Sequence, residues 1–188
     1  LAGRPDLPEK SARRICGVVR QTDQVNLAIG FRAPGRQDPD LPALRLLNDI
    51  LGGKMSSRLF DEVREKRGLA YSVHSRAHRF TDTGYLELKA GVALDKALEA
   101  TRVILAEAAR MRENLVDDEE LEAAGNHLRG LLLVREESDD FAERNGESLL
   151  LDGEVRTVRE ELEALEQVTR EDVRRVAKQV FREEELTA

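Results

Sequence analysis

The sequence is poor in several features that would each indicate a particular class of protein. It has one cysteine in 188 residues, which excludes an internal disulfide framework and a cysteine-based zinc cluster. It has no long apolar run, so no segment is expected to cross a membrane as a helix. It also lacks an excess of basic residues: 30 Lys and Arg stand against 37 Asp and Glu, and the net charge of -7 argues against nucleic-acid binding.

The start of the chain lacks the basic stretch and apolar segment of a secretory signal. It begins with Leu1 rather than Met, so we expect a piece of a longer protein whose targeting signals lie elsewhere. Pro5 and Pro8 favour extended backbone, so residues 1–11 are expected to be a linker that enters a domain over residues 12–188. A domain of this size buries roughly 70% of its extended-chain surface, enough for a core without cross-links.

Alternation of apolar and polar residues predicts the strands. They are expected over residues 14–20 and 24–31, and in a hairpin formed by residues 69–75 and 85–92 around a turn at 81–84. On the first hairpin strand, the side chains predicted to share one side are Leu69, Tyr71 and Val73.

Helical spacing of apolar residues predicts helices over residues 40–51, after a cap at Ser56 or Ser57, and repeatedly after Leu94. Asp117 and Glu120 resemble a capping box. Further helices are expected to start at Asp139 or Asp140, at Thr157 and at Thr169. The long helix after Leu94 is predicted to bury Ala97, Leu98, Thr101, Leu105 and Ala108.

Strands that come first and helices that follow favour an α+β fold, with a mostly antiparallel sheet and helices packed on one face. Residues 183–188 are too short to assign, and a final strand that is truncated fits them.

The three histidines do not form a metal site in this reading. His74 and His78 stand four apart on a predicted strand, which separates them by roughly 13 Å, too far to share one ion. His127 is expected on the solvated face of a helix. The sequence therefore predicts that this chain holds no catalytic zinc of its own.

Two other candidates have ordinary structural explanations. Cys16 lies among apolar residues and is expected to be a buried small side chain rather than a nucleophile. The run Gly52-Gly53-Lys54 does not meet the spacing of a phosphate-binding loop.

Arg64 and Tyr71 are the strongest candidates for a role in binding or catalysis. A tight turn at Gly68 is expected to bring the guanidinium and the phenol toward the same space, where both donate hydrogen bonds to a peptide carbonyl or an oxyanion. The alternative is structural: Arg64 pairs with Asp61 or another acidic neighbour, and Tyr71 packs in the core beside Val73.

The segment from Leu51 to Val73, LGGKMSSRLFDEVREKRGLAYSV, resembles the C-terminal homologous domain of the M16 zinc peptidases. This family includes pitrilysin and the mitochondrial processing peptidase, and the likeness is greatest to its short bacterial processing-protease branch. The strand over residues 24–31, the helix over 40–51 and the helix start at Val168-Thr169 extend the resemblance over nearly the whole chain.

The resemblance implies two homologous α/β halves, of which the first carries His-x-x-Glu-His and binds zinc. The helix that corresponds to the zinc helix is Leu44 to Asp49, which has no histidine. Zinc is accordingly expected in the homologous N-terminal half or in a partner subunit, as a homodimer or heterodimer, and no cofactor is expected in this chain.

The resemblance also implies functional residues. An Arg and a Tyr seven positions apart hold the scissile carbonyl and its oxyanion in active members, and they match Arg64 and Tyr71. The glycine-rich segment of the family matches Gly52 and Gly53, with Lys54 where a third glycine is common.

The sequence thus predicts the metal-free, substrate-binding half of an M16-type zinc metallopeptidase that acts on extended peptides and is inactive alone. The alternative is a non-catalytic structural or peptide-binding subunit of the same fold. The compartment stays open, with the bacterial cytoplasm favoured.

Overall fold

A computed structural model of the chain describes residues 24–136, 140–182 and 186–187. The predicted linker over residues 1–11, the strand over residues 14–20, and Cys16 lie outside the described residues.

The sheet has four antiparallel strands in the order β2-β3-β1-β4. They are β1 (Gln24–Ala33), β2 (Ala70–Arg79), β3 (Gly84–Ala93) and β4 (Leu186–Thr187). The hairpin of β2 and β3 is closed by a hydrogen bond from the Phe80 N–H to the Thr83 carbonyl (2.8 Å). The predicted strand over residues 24–31 and the predicted hairpin are therefore confirmed.

Six α-helices lie in the described ranges: α1 (Leu41–Asn48), α2 (Ala97–Glu113), α3 (Asp118–Glu136), α4 (Asp140–Asp152), α5 (Val158–Glu166) and α6 (Arg170–Val180). Two π-helical segments, Asp49–Gly53 and Phe60–Glu65, lie between α1 and β2. None of the helices in the described ranges is both long enough and apolar enough to span a bilayer.

One face of the sheet carries the core, and the period-2 pattern of the strands explains which one. The buried side chains of the strands include Ile29, Phe31, Val73, Leu86, Leu88 and Val92. They pack with buried residues of the helices, and the Phe31 ring meets Phe181 edge-on at 5.1 Å between centroids. The α+β architecture with helices on one face is confirmed.

The buried stripe of α2 differs from its prediction. The helix buries Ala100, Ile104, Glu107, Ala108 and Met111, whereas Leu98 is 64% exposed. Both stripes satisfy helical spacing, and they differ by about one residue, or 100° of rotation. Apolar spacing alone does not specify this rotation, which is the one at which Ile104 and Met111 pack into the core.

The predicted serine cap of the second π-helical segment is wrong. The Ser57 hydroxyl is buried and has no hydrogen-bond partner among the described residues. Instead, the Ser57 carbonyl accepts from the Asp61 N–H at 3.0 Å.

The predicted capping box of α3 is confirmed, because the Glu120 N–H donates to Asp117 Oδ1 (2.7 Å) and the Asp117 N–H donates to Glu120 Oε2 (3.2 Å).

Candidate functional site

A tight turn connects the second π-helical segment to β2 and places Arg64 and Tyr71 on its two sides. The Gly68 N–H donates to the Arg64 carbonyl (3.0 Å) and the Leu69 N–H donates to the Val63 carbonyl (2.8 Å). Gly68 has φ +58°, a left-handed conformation that glycine adopts without the steric cost of a side chain. The turn reverses the chain, as the sequence predicts.

The Arg64 guanidinium is held loosely. Its side chain is 44% exposed, and Nε lies 3.9 Å from Glu65 Oε1, a distance too long for a hydrogen bond. The guanidinium carbon lies over the Phe60 ring, 4.8 Å from its centroid, and makes a cation–π contact with it. Of the predicted alternative partners, Asp61 pairs with Lys66 at 2.7 Å instead, while the neighbouring Glu65 forms the long ion pair with Arg64. The Arg64 side chain is therefore partly open to solvent.

Tyr71 lies at a β-bulge and is 69% exposed. Ala70 pairs with Val92 and Ser72 pairs with Gly91, so Tyr71 is the extra residue of β2. The bulge makes Tyr71 and Ser72 both exposed and breaks the alternation of the strand. The expectation that Leu69, Tyr71 and Val73 share one side is therefore wrong, as is the alternative that Tyr71 packs in the core. Its phenol is open to solvent.

Gly52 and Gly53, the predicted glycine-rich segment, belong to the first π-helical segment rather than to an open loop. A β-carbon on buried Gly52 would lie 2.6 Å from the Ser75 nitrogen and 2.7 Å from its Oγ. The Ser75 hydroxyl donates to the Asn48 side chain at 2.8 Å. This end of α1 is thus packed directly against β2.

A buried carboxylate next to these glycines was not identified from the sequence. Asp49 is 2% exposed, and its Oδ1 lies 2.7 Å from Nδ1 of His127 on α3. Its Oδ2 lies 3.2 Å from the Lys54 ammonium. The prediction that His127 lies on a solvated helix face holds only in part, because its side chain is 37% exposed but its ring pairs with a buried carboxylate. The two residues are 78 positions apart, so no local pattern relates them.

Arg58 anchors the chain just before the second π-helical segment. Its Nε and a terminal nitrogen donate to the two carboxylate oxygens of Glu120 at 2.6 and 2.5 Å. The hydrogen bond that Arg58 donates to Glu120 raises the pKa of Arg58. Burial raises the pKa of Glu120, but the hydrogen bonds and charge of Arg58 outweigh it, so this pKa lies below its usual value. The Arg58–Glu120 pair joins the segment that carries Arg64 to the start of α3.

The described residues contain no group of three or more His, Cys, Asp or Glu side chains arranged to hold a metal ion. His74 is exposed, while the ring of His78 stacks on Tyr85 at 4.5 Å.

A cavity of about 350 Å³ lies between the loop after β1 and helices α4 and α5. It is lined by ion pairs such as Arg36–Asp152 (2.9 Å), and neither Arg64 nor Tyr71 contributes to it.

Comparisons with known proteins agree with this fold. The family model described as the peptidase M16 inactive domain matches residues 3–128. An uncharacterized zinc protease of Mycobacterium tuberculosis is 37% identical over 185 residues, which are 95% of this chain and 42% of the relative. The solved peptidase M16 inactive domain from Pseudomonas fluorescens has a TM-score of 0.79 at 23% identity, over 88% of this chain and 39% of that chain.

A chain of complex III from Candida albicans shares the fold with a TM-score of 0.75 at 21% identity, over 85% of this chain and 40% of that chain. The sequence matches and the fold together define an inactive-domain module of zinc-protease-like proteins. The chain belongs to the M16 peptidase family, in its inactive-domain branch. It spans about two fifths of the length of the curated relatives that it matches.

Proposed function

We propose that this chain is the substrate-binding half of an M16-type zinc endopeptidase and works with a zinc-bearing half that carries His-x-x-Glu-His. The relatives named as zinc proteases are longer than this chain by more than its own length, which leaves room for such a half. The zinc-bearing half would supply the metal and the activated water. It would lie in the same polypeptide or in a partner subunit.

Arg64 and Tyr71 would contribute hydrogen-bond donors to the reaction. The observation that carries this proposal is the solvent exposure of both side chains on either side of one turn, with no carboxylate within hydrogen-bond distance of the guanidinium among the described residues. As water attacks a peptide, negative charge develops on the carbonyl oxygen. A guanidinium and a phenol O–H stabilise that charge more strongly than the neutral ground state.

Arg64→Ala and Tyr71→Phe in the full-length protein are each expected to lower kcat/KM for peptide hydrolysis by about 100- to 1000-fold, the usual cost of one oxyanion donor. Cleavage of an unfolded protein such as casein, followed by mass spectrometry, measures the loss. Circular dichroism is expected to be unchanged, because both side chains are exposed.

The chain offers a matched control for each variant. Arg67→Ala removes another exposed arginine of the same turn, which pairs with Glu62 at 3.3 Å. Tyr85→Phe removes the hydroxyl of the only other tyrosine in the chain. Both controls should keep peptidase rates within about threefold of wild type, as is usual for surface changes away from a site. Near-normal rates for both Arg64→Ala and Tyr71→Phe would rule out the assigned role.

The second candidate is a non-catalytic structural or peptide-binding subunit. It is favoured by the likeness of the fold to a chain of complex III. The full-length gene and the genes beside it discriminate between the two functions. Absence of His-x-x-Glu-His from all of them would favour the non-catalytic role.

A further inference from the structure

The side of the sheet opposite the helices presents a mixed polar surface with an excess of positive charge. This open sheet face is formed by exposed or half-exposed side chains of β1, β2 and β3 that include Arg32, His74, Arg76, His78, Glu87 and Lys89. Three cations stand against one carboxylate, although the whole chain has a net charge of -7. Positive side chains therefore outnumber negative ones among the residues named for this face.

Arg76 has no acidic partner among the described residues, although one lies directly across from it. The strand register pairs Arg76 with Glu87 of β3. The Glu87 carboxylate instead lies 3.0 Å from the Lys89 ammonium and 3.2 Å from Nε2 of His78. Burial raises the pKa of Glu87, but Lys89 and His78 together lower it below its usual value, so the carboxylate stays ionised and engaged. The Arg76 side chain is exposed, and no carboxylate in the described part of the chain forms an ion pair with it.

The position of Arg76 relates it to the candidate site. It lies on β2, which is an edge strand among the described residues, so the backbone on the far side of β2 has no partner strand there. Edge strands bind extended peptides through main-chain hydrogen bonds, and alternate side chains of the peptide meet the face of the sheet. Tyr71 lies on the same strand, five positions earlier, which is roughly 17 Å at 3.3 Å per residue.

We propose that Arg76 forms a subsite for an acidic side chain of an extended peptide substrate that lies along β2. This proposal rests on the proposed function, because it places the scissile bond at Arg64 and Tyr71. A peptide carboxylate about five residues from that bond reaches the guanidinium and accepts two parallel hydrogen bonds. Lys89 and His78 both contact Glu87, so that this carboxylate does not pair with Arg76, and the Arg76 guanidinium can bind an acidic side chain of the peptide.

The test uses the full-length protein and a set of short neutral peptides that differ only in the position of one glutamate. Each glutamate peptide is compared with its glutamine counterpart, both by kcat/KM and by fluorescence anisotropy of the labelled peptide. We expect glutamate to improve both measures about three- to tenfold at one position, about five residues from the cleaved bond. The preference should weaken at high salt, as an exposed ion pair does.

Variants assign the preference to Arg76. Arg76→Gln should abolish it, and Arg76→Glu should replace it with a preference for lysine at the same position. Arg102→Gln and Arg102→Glu make the same charge changes at an exposed arginine on α2, in the helical layer, and should leave the glutamate preference intact.

The two readouts separate this proposal from the function on which it rests. A glutamate preference in binding that depends on Arg76, in a protein that cuts no peptide, would uphold the subsite and overturn the proposed enzyme. Hydrolysis with equal rates and affinities for glutamate and glutamine peptides at every position would overturn the subsite alone. Failure of every peptide to bind would overturn both.

Discussion

Gly52 is the residue of the candidate site where the structure leaves least space. Its α-carbon faces the backbone nitrogen and hydroxyl of Ser75, and a β-carbon there would approach both to less than 3 Å. Gly53 is exposed, and a β-carbon on it would lie 3.1 Å or more from its nearest neighbours, atoms of Asn48 and Asp49. Close packing of α1 against β2, rather than loop flexibility, therefore accounts for glycine at position 52.

Gly52→Ala is expected to lower the free energy of unfolding by about 1–3 kcal/mol, because the backbone of β2 cannot move away without disturbing its pairing with β3. Gly53→Ala is the matched control and should cost less than about 1 kcal/mol. Urea denaturation followed by circular dichroism measures both. Equal costs for the two variants would contradict the packing explanation.

The ends of the helices show how short-range sequence signals become structure. The side chains of Thr157 and Thr169 accept from the backbone of Glu160 and Asp172, and each acidic residue accepts in return from the threonine N–H. Both helices start where their threonines predict. Asp172 is further fixed by Arg175 at 3.0 Å, which also reaches Asp40 before α1 at 2.6 Å.

Asp172→Asn is expected to make the unfolding free energy less dependent on pH. Hydrogen bonds from the Thr169 side chain and backbone hold the pKa of Asp172 at about 2, below about 3.9 in an unfolded chain. The ionised form therefore stabilises the fold above about pH 4, and this contribution is lost as the pH falls toward about 2. The variant should be less stable by roughly 1 kcal/mol near pH 7, with a difference that shrinks between about pH 4 and pH 2.

Glu171→Gln provides the control, because Glu171 lies in the same first turn of α6, is exposed and has no hydrogen bond to a described residue. Urea midpoints measured across this acidic range for all three proteins check the prediction. If the unfolding free energies of wild type and Asp172→Asn changed with pH in parallel, the charge of the Asp172 carboxylate would not contribute to the stability of the fold.

The architecture as a whole separates a helical layer, which holds the core, from an open sheet face, which carries Arg76. Arg64 and Tyr71 lie where the second π-helical segment turns into the edge strand of that sheet. In the proposed enzyme this edge would face the zinc-bearing half, so that donors from one half and metal from the other meet at one peptide bond.

If zinc is bound by the other half and this chain supplies only hydrogen-bond donors, the metal content of the two proteins should differ. The purified 188-residue chain is expected to bind zinc below stoichiometry and to hydrolyse no peptide, whereas the full-length protein should lose its peptidase activity with a chelator and regain it with added zinc. Arg64→Ala in the full-length protein should keep the zinc content of wild type while its activity falls. Mass spectrometry measures the zinc content of each protein. Stoichiometric zinc in the 188-residue chain would contradict the prediction that the metal lies in the other half.

The parts of this protein that sequence reasoning predicted are those encoded by nearby residues. Alternation within ten residues predicted β1 and the hairpin, and the four-residue span from Asp117 to Glu120 predicted the start of α3. The resemblance over residues 51–73 singled out Arg64 and Tyr71 through a motif of consecutive positions. Their proposed role in catalysis stays a prediction.

The features that the sequence did not reveal depend on contacts between distant residues. The side on which Tyr71 emerges depends on a bulge that only pairing with β3 creates, and the choice of partner by Asp49 depends on the docking of α3. Likewise, Arg76 has no acidic partner among the residues that the structure describes, because Glu87 pairs instead with Lys89 and His78. Local spacing limits which groups can meet, but packing of whole elements selects among the arrangements that local spacing allows, since their local energies are nearly equal.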